Sequence, residues 1–328
     1  MYDLPNVIPF ATRVTPAWRL GLLTCLAVAS IVAFMTLGAK GQWSFVIPFR
    51  GAKLTAMLLV AYAIAVSSVL FQTVTHNRIL TPAIMGFDAL YILIQAIIVF
   101  IFGLNATAHW DPAWKFLFEV TIMTAFAAAL FQWIFSGAAR SLHLVMLVGI
   151  VFGLLFRSLS SFMIRLIDPN EFLVLQDRMF ASFNTIRTDL LLVSTVTVLA
   201  VSVIGWRLRS TYDVLALGRD AAINLGIAYR RVLMLTLVLV SVLVSVSTAL
   251  VGPVTFFGLL VSNLAYMFMK SDKHRYTVPA AVLLAITLLV GGQTVLERVL
   301  ALNTAVSVVI EFIGGLMFIT LVIRKVER

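Results

Sequence analysis

The sequence predicts an all-α polytopic membrane protein with about ten transmembrane helices and a short amphipathic cytoplasmic segment, made of two small helices, between the sixth and seventh spans. Three observations carry this. Apolar runs close to the ~20 residues needed to cross a bilayer fill most of the 328-residue chain. Hydrophobic residues make up 62% and charged residues only 12%, with a mean hydropathy of +1.06, which excludes a soluble globular domain. One internal stretch, residues 211–229, is far too polar to span and too patterned to be a connector.

Charge-poor runs set against turn residues place spans near residues 19–39, 54–74, 84–104, 114–134, 141–160, 189–206, 229–250, 254–270, 277–297 and 305–324. The first contains Cys25, the only cysteine, so no internal disulfide or thiolate cluster can form. It lacks a small-residue cleavage site and reads as a retained helix. Arg50 and Lys53 stand at the outer start of the second span. Between the fifth and sixth spans, residues 161–188 form an outer segment. There Asp168-Pro169-Asn170-Glu171 supplies an N-cap acceptor, an N1 proline and an N3 acid, and Phe172, Leu175, Met179 and Phe183 follow at helical spacing. This predicts a helix on the membrane or on the protein rim; a substrate lid is the alternative. The apolar run through residues 228–269 divides at Gly252-Pro253, where proline cannot continue the helix and glycine permits reversal. A single kinked helix is the alternative there, and it would invert the side of every later loop.

The net charge of +10 reports topology rather than a nucleic-acid partner. With a cytoplasmic N-terminus, ten spans leave Lys40, Arg50, Lys53, Lys115, Arg157, Arg165, Arg178, Arg187 and Arg298 outside and the other fifteen of the 24 Lys and Arg inside. That bias puts residues 211–229, TYDVLALGRDAAINLGIAY, in the cytoplasm. Val214, Leu217, Ala221 and Leu225 recur there at helical spacing, Asp213, Asp220 and Asn224 lie to another side, and Gly218 and Gly226 break two short helices. Such a surface suits docking against a soluble partner.

The chemistry on offer is sparse. No glycine-rich loop ends in Lys-Ser or Lys-Thr, so the chain has no P-loop for ATP. His76, His109, His143 and His274 are scattered without a partner at ligand spacing, and no metal site or bound cofactor follows. Gly291-Gly292 and Gly314-Gly315 are read as close-packing sites. Asp88, Glu119 and Glu297 fall near span ends, where hydration can reach them. Glu311 is the one carboxylate well inside a span, with a pairing or packing role favoured over proton carriage. Gln72, Gln95, Gln132, Ser67, Ser68, Ser245, Ser247 and Gln293 either line a path or bond helix to helix.

Three stretches in order, FQTVTHNRILTPAIMGFDALY at residues 71–91, DVLALGRDAAINLGI at 213–227 and ALVGPVTFFGLLVSNLAYMF at 249–268, resemble the permease subunits of ABC importers for iron-siderophores, haem and vitamin B12. The resemblance covers most of the chain and is closest to the iron-siderophore branch. It implies a non-catalytic permease in the bacterial inner membrane, paired with an identical or homologous second permease around a central path. Its further partners would be cytoplasmic ATP-binding subunits, where the ATP is used, an outer siderophore-binding protein and an iron-siderophore as substrate. On this resemblance Asp213, Val214, Leu215, Leu217, Gly218, Arg219, Asp220, Asn224, Leu225 and Gly226 form the ATPase-coupling element. Arg50, Lys53 and Arg298 would meet acidic residues of the binding protein; relatives often carry arginine at the position of Lys53. An ion-coupled secondary transporter of a small organic solute is the competing reading, and an intramembrane enzyme is the weakest because no nucleophile, carboxylate pair or metal cluster assembles.

Overall fold

A computed structural model describes residues 15–39, 41, 43–136, 142–184, 188–300 and 306–326. The described residues are helical, with short connections and no strand. In chain order they form α1 (Pro16–Thr36), α2 (Trp43–Thr75), α3 (Phe87–Ala108), α4 (Pro112–Ser136), α5 (Leu142–Ile164), α6 (Pro169–Arg178) and α7 (Thr188–Arg207). There follow α8 (Arg209–Leu215), α9 (Arg219–Asn224), α10 (Tyr229–Val251), α11 (Phe257–Met269), α12 (His274–Thr294) and α13 (Val306–Val326). Seven helices are long and apolar enough to cross a membrane, and three shorter apolar helices, Phe87–Gly103, Phe257–Met269 and Ser307–Met317, occupy the remaining predicted spans. The starts of the fifth and tenth predicted spans, residues 141 and 305, lie outside the described residues, as do Arg13, Lys40, Arg140, Arg187 and Arg328 of the charge assignment.

Local sequence sets many helix ends. Thr15 caps α1, accepting from the Trp18 amide with Pro16 in the first turn, and Asp168 caps α6 in the same way, accepting from Asn170 ahead of Pro169. The outer helix therefore forms where expected but stops at Arg178. Leu175 is fully buried against Ala96, Val99 and Ile167, and Arg178 donates to Gln95 Oε1, which fixes α6 as a rim helix on α3. Phe183 lies beyond the helix, buried in a second cluster.

α2 and α10 are the centre of the molecule. Inside their apolar windows 72% and 67% of residues are buried, against 17–28% for α1, α4, α5 and α7, whose remaining surface faces outward. Small and hydroxyl side chains, including Ala61, Ala65, Ser67 and Ser68 on α2 and Ser241, Ser245 and Ser247 on α10, let neighbours approach. Around this pair the packing repeats: α4 lies on α10 as α12 lies on α2, and α3 lies on α5 as α11 lies on α13.

Two of the three short spans, those of α3 and α11, start deep in the molecule after a glycine with positive φ. Gly86 (φ 98°) crosses the midpoint of α5; a Cβ there would sit 2.7 Å from Gly153 Cα. Gly252 (φ 101°) ends α10 and leads through Pro253 into α11, so the two-helix reading of this run holds. A Cβ at Gly252 would lie 3.1 Å from Phe180 O and from Ala181 Cα. Gly291 faces Ser30 of α1, and Gly314 faces Phe256, where an added Cβ would come within 2.6 Å of Phe256 Cβ. Those two glycines serve close packing as predicted; at Gly315 nothing approaches.

Candidate functional site: a two-helix cytoplasmic segment and a cation cluster

At the cytoplasmic end, α8 and α9 form two short helices separated by Gly218 (φ 104°), and Gly226 (φ 82°) breaks the chain again before α10. The expected stripe of Val214, Leu217, Ala221 and Leu225 is divided by this break. Tyr212, Leu215 and Ala222 point into the main core, and Val214 packs partly against it. Burial holds the Tyr212 hydroxyl above the usual phenol range. Leu217 and Leu225 remain 66% and 63% exposed, joined by Ile223 at 47%, a residue outside the predicted stripe. Arg219, Asp220 and Asn224 are exposed around them. The surface open to a partner is therefore this apolar trio with a polar rim. Leu215 serves the protein's own core, and Asp213, half-exposed, is engaged by His274 of the same chain.

Asp213 meets His274, the first residue of α12. One carboxylate oxygen, Oδ1, accepts from the His274 backbone amide at 2.8 Å and from its Nδ1–H at 2.7 Å. The other ring nitrogen, Nε2, lies 2.6 Å from Thr73 Oγ1 in the last turn of α2. His274 is buried, and the Tyr212 ring stands 5.8 Å from its own. Nothing in the sequence flags His274: it lies between Lys273 and Arg275 as an ordinary interface residue, and its partners are 61 and 201 positions away.

The same end ties the loop after α2 in place. Gln72 and Asn263 both donate to the Arg78 carbonyl, at 2.7 and 3.0 Å, while the Arg78 guanidinium pairs with Asp272 and lies 4.5 Å from the Tyr266 ring centroid. Deeper, Thr255 Oγ1 donates to Asp88 Oδ2 at 2.8 Å, and Glu311 lies against the Thr255 backbone. Asp88 is buried where the two short spans meet rather than hydrated at a span end, because its helix begins at the level of the α5 midpoint. Glu119 is likewise buried, accepting from Gln95 at 2.7 Å with Lys115 at 3.8 Å. Most of the polar span residues bond internally: Gln293 donates to Glu297, Ser67 to its own helix, and Thr124 to Ser245.

At the outer end the expected docking cations have a different setting from the one their sequence position implies. Because α2 begins at Trp43 rather than after Lys53, Arg50 and Lys53 lie within the helix and are buried. The Arg50 Nη1 reaches the carbonyls of Phe34, Met35 and Leu37 at 2.9, 3.0 and 2.8 Å, capping the C-terminus of α1. Lys53 pairs with Glu297 and donates to Asn184 Oδ1 at 2.7 Å. Arg298, next to Glu297 in a π-helical turn after α12, is exposed. The three cations do converge, since a Cβ at Gly38 would lie 3.5 Å from Arg298 Nη1 and 4.0 Å from Arg50 Nη2.

The described residues form a bundle of apolar helices with an exposed two-helix segment at one end and a cluster of cations at the other. The chain belongs to the FecCD transport family, whose model matches residues 20–324. It is 48% identical over 307 residues to the petrobactin import system permease protein YclO of Bacillus subtilis (strain 168), covering 94% of this chain and 97% of that one. It is 37% identical over 280 residues to the petrobactin import system permease protein FatC of Bacillus anthracis, covering 85% and 79%. The fold matches a solved metal-chelate type ABC transporter chain in an inward-facing conformation, with TM-score 0.81 and 22% identity over 94% of this chain and 99% of that one. This is a multi-pass, non-catalytic permease subunit of an ABC-type importer in the cytoplasmic membrane, with ATP hydrolysis assigned to separate subunits. The ion-coupled secondary transporter finds no support in these relatives.

Proposed function

We propose that this permease imports a ferric siderophore of the petrobactin type, pairing with a second permease subunit, identical or homologous, around a shared path. The identity to petrobactin import permeases over nearly the whole chain carries the substrate reading. In this reading Leu217, Ile223 and Leu225, with Gly218, Arg219, Asp220, Asn224 and Gly226, form the face that an ATP-binding subunit grips, while Val214 and Leu215 root it in the core. At the other end Arg298 meets the acidic surface of a siderophore-binding protein, and Arg50 and Lys53 hold the helix ends that present it.

Uptake of radiolabelled ferric petrobactin into cells lacking their own permease tests the substrate; the chain should restore it and leave vitamin B12 uptake unrestored. Vitamin B12 uptake without ferric petrobactin uptake would sink the siderophore reading. For the coupling face, Leu217→Glu combined with Gly218→Arg should leave the permease in the membrane but abolish transport. Unchanged ATPase copurification together with unchanged uptake in that variant would remove the proposal.

A further inference from the structure

We infer that Asp213, His274 and Thr73 form a polar link through which movement of the cytoplasmic segment enters α2 and α12. The inference rests on the coupling role proposed above. By chain connection alone α8 and α9 move only α7 and α10. The link adds α12, because Asp213 holds both the backbone amide and the ring of its first residue, and α2, because that ring ends on Thr73. α2 is the most buried span, so a push delivered at its end reaches the centre of the molecule.

Three features favour a transmitting contact over an ordinary helix cap. The two charge-assisted bonds converge on one oxygen, which fixes the direction as well as the distance between α8 and α12. The relay does not depend on the ring's charge. A neutral imidazole accepts at Nε2 from the Thr73 hydroxyl, and a charged one donates to that hydroxyl, which then donates to the Val69 carbonyl 2.8 Å away. Finally, Asp213 and His274 line a cleft of about 560 Å³ with Tyr62, Trp206, Leu239 and Pro279, so α8 has room to move on one side while it is tied on the other. The link also joins residues 71–91 and 213–227, two of the stretches on which the resemblance was noted, through a histidine that belongs to neither.

The test uses the full importer, permease with its ATP-binding subunits and binding protein, in proteoliposomes with ferric petrobactin as cargo. ATP hydrolysed per siderophore imported is the readout, since a merely destabilising change lowers both quantities together and leaves their ratio alone. Thr73→Val and His274→Leu should keep the ATP-binding subunits bound and raise the ratio about tenfold, and Thr73→Ser should restore it. If His274→Leu does not assemble, the near-isosteric Thr73→Val carries the test alone. An unchanged ratio in Thr73→Val overturns the link. If Leu217→Glu raises the ratio while Thr73→Val does not, the link fails and the coupling face stands; if Leu217→Glu alters neither copurification nor the ratio, the coupling reading itself falls.

Discussion

Arg50 and Arg298 carry the same charge at the same end of the molecule, and their surroundings give them different work. Arg50 is 5% exposed and satisfies three carbonyls at the end of α1, so Arg50→Leu leaves those acceptors unpaired. The expected cost is about 1–3 kcal/mol, read as a lower unfolding midpoint in detergent, with a small effect on binding-protein affinity at permissive temperature. Arg298→Glu should do the reverse. Stability is kept, while capture of the binding protein weakens more at low salt than at high salt, because an exposed charge acts through a screened field. A salt-independent loss, or none, would count against docking at Arg298. The sequence shows both arginines on the outer side and cannot tell them apart, because burial of Arg50 depends on where α1 happens to end.

At the scale of elements, the two short spans show what local signals can and cannot reveal. Gly252-Pro253 is legible as a break because proline and glycine act on their own backbone, and the structure places a turn there. The matching break before α3 is harder to see, since Pro82 and Gly86 stand apart and the need for glycine comes from α5, more than sixty residues on. Gly86→Ala must accept both a positive φ, costing about 1–3 kcal/mol, and a Cβ 2.7 Å from Gly153 Cα. It should therefore sharply lower the yield of monodisperse permease, whereas Gly315→Ala, with nothing within 4 Å, should be tolerated. Comparable yields for the two variants would contradict the crossing. The cytoplasmic segment falls between these cases. Its two helices and their glycine breaks are visible in the sequence, but which apolar residues turn outward is not. Leu215 and Leu217 read alike until the core claims the first.

For the whole molecule, the charge bias and the structure agree on two chemically distinct ends. Arg19, Arg78, Asp213 and His274 gather at one, with Arg19 donating to the Phe268 carbonyl, and Arg50, Lys53, Glu297 and Arg298 gather at the other. In a Cys25→Ser background, Leu225→Cys should react with a membrane-impermeant maleimide only after the membrane is opened. Arg298→Cys should react in intact spheroplasts. Labelling of both from one side would overturn the ten-span topology.

Sequence alone determined that this chain belongs in a membrane, where its polar two-helix segment lies and, through three ordered stretches, the family it resembles. Each of those follows from composition, from charge counted along the chain or from residues close in sequence. Tertiary structure decided which cations are exposed, which carboxylates are buried, which leucines of the cytoplasmic segment stay at the surface and that His274 binds Asp213 to Thr73. Those depend on helices distant in the chain arriving side by side, where a buried polar group must find a partner whatever its sequence number.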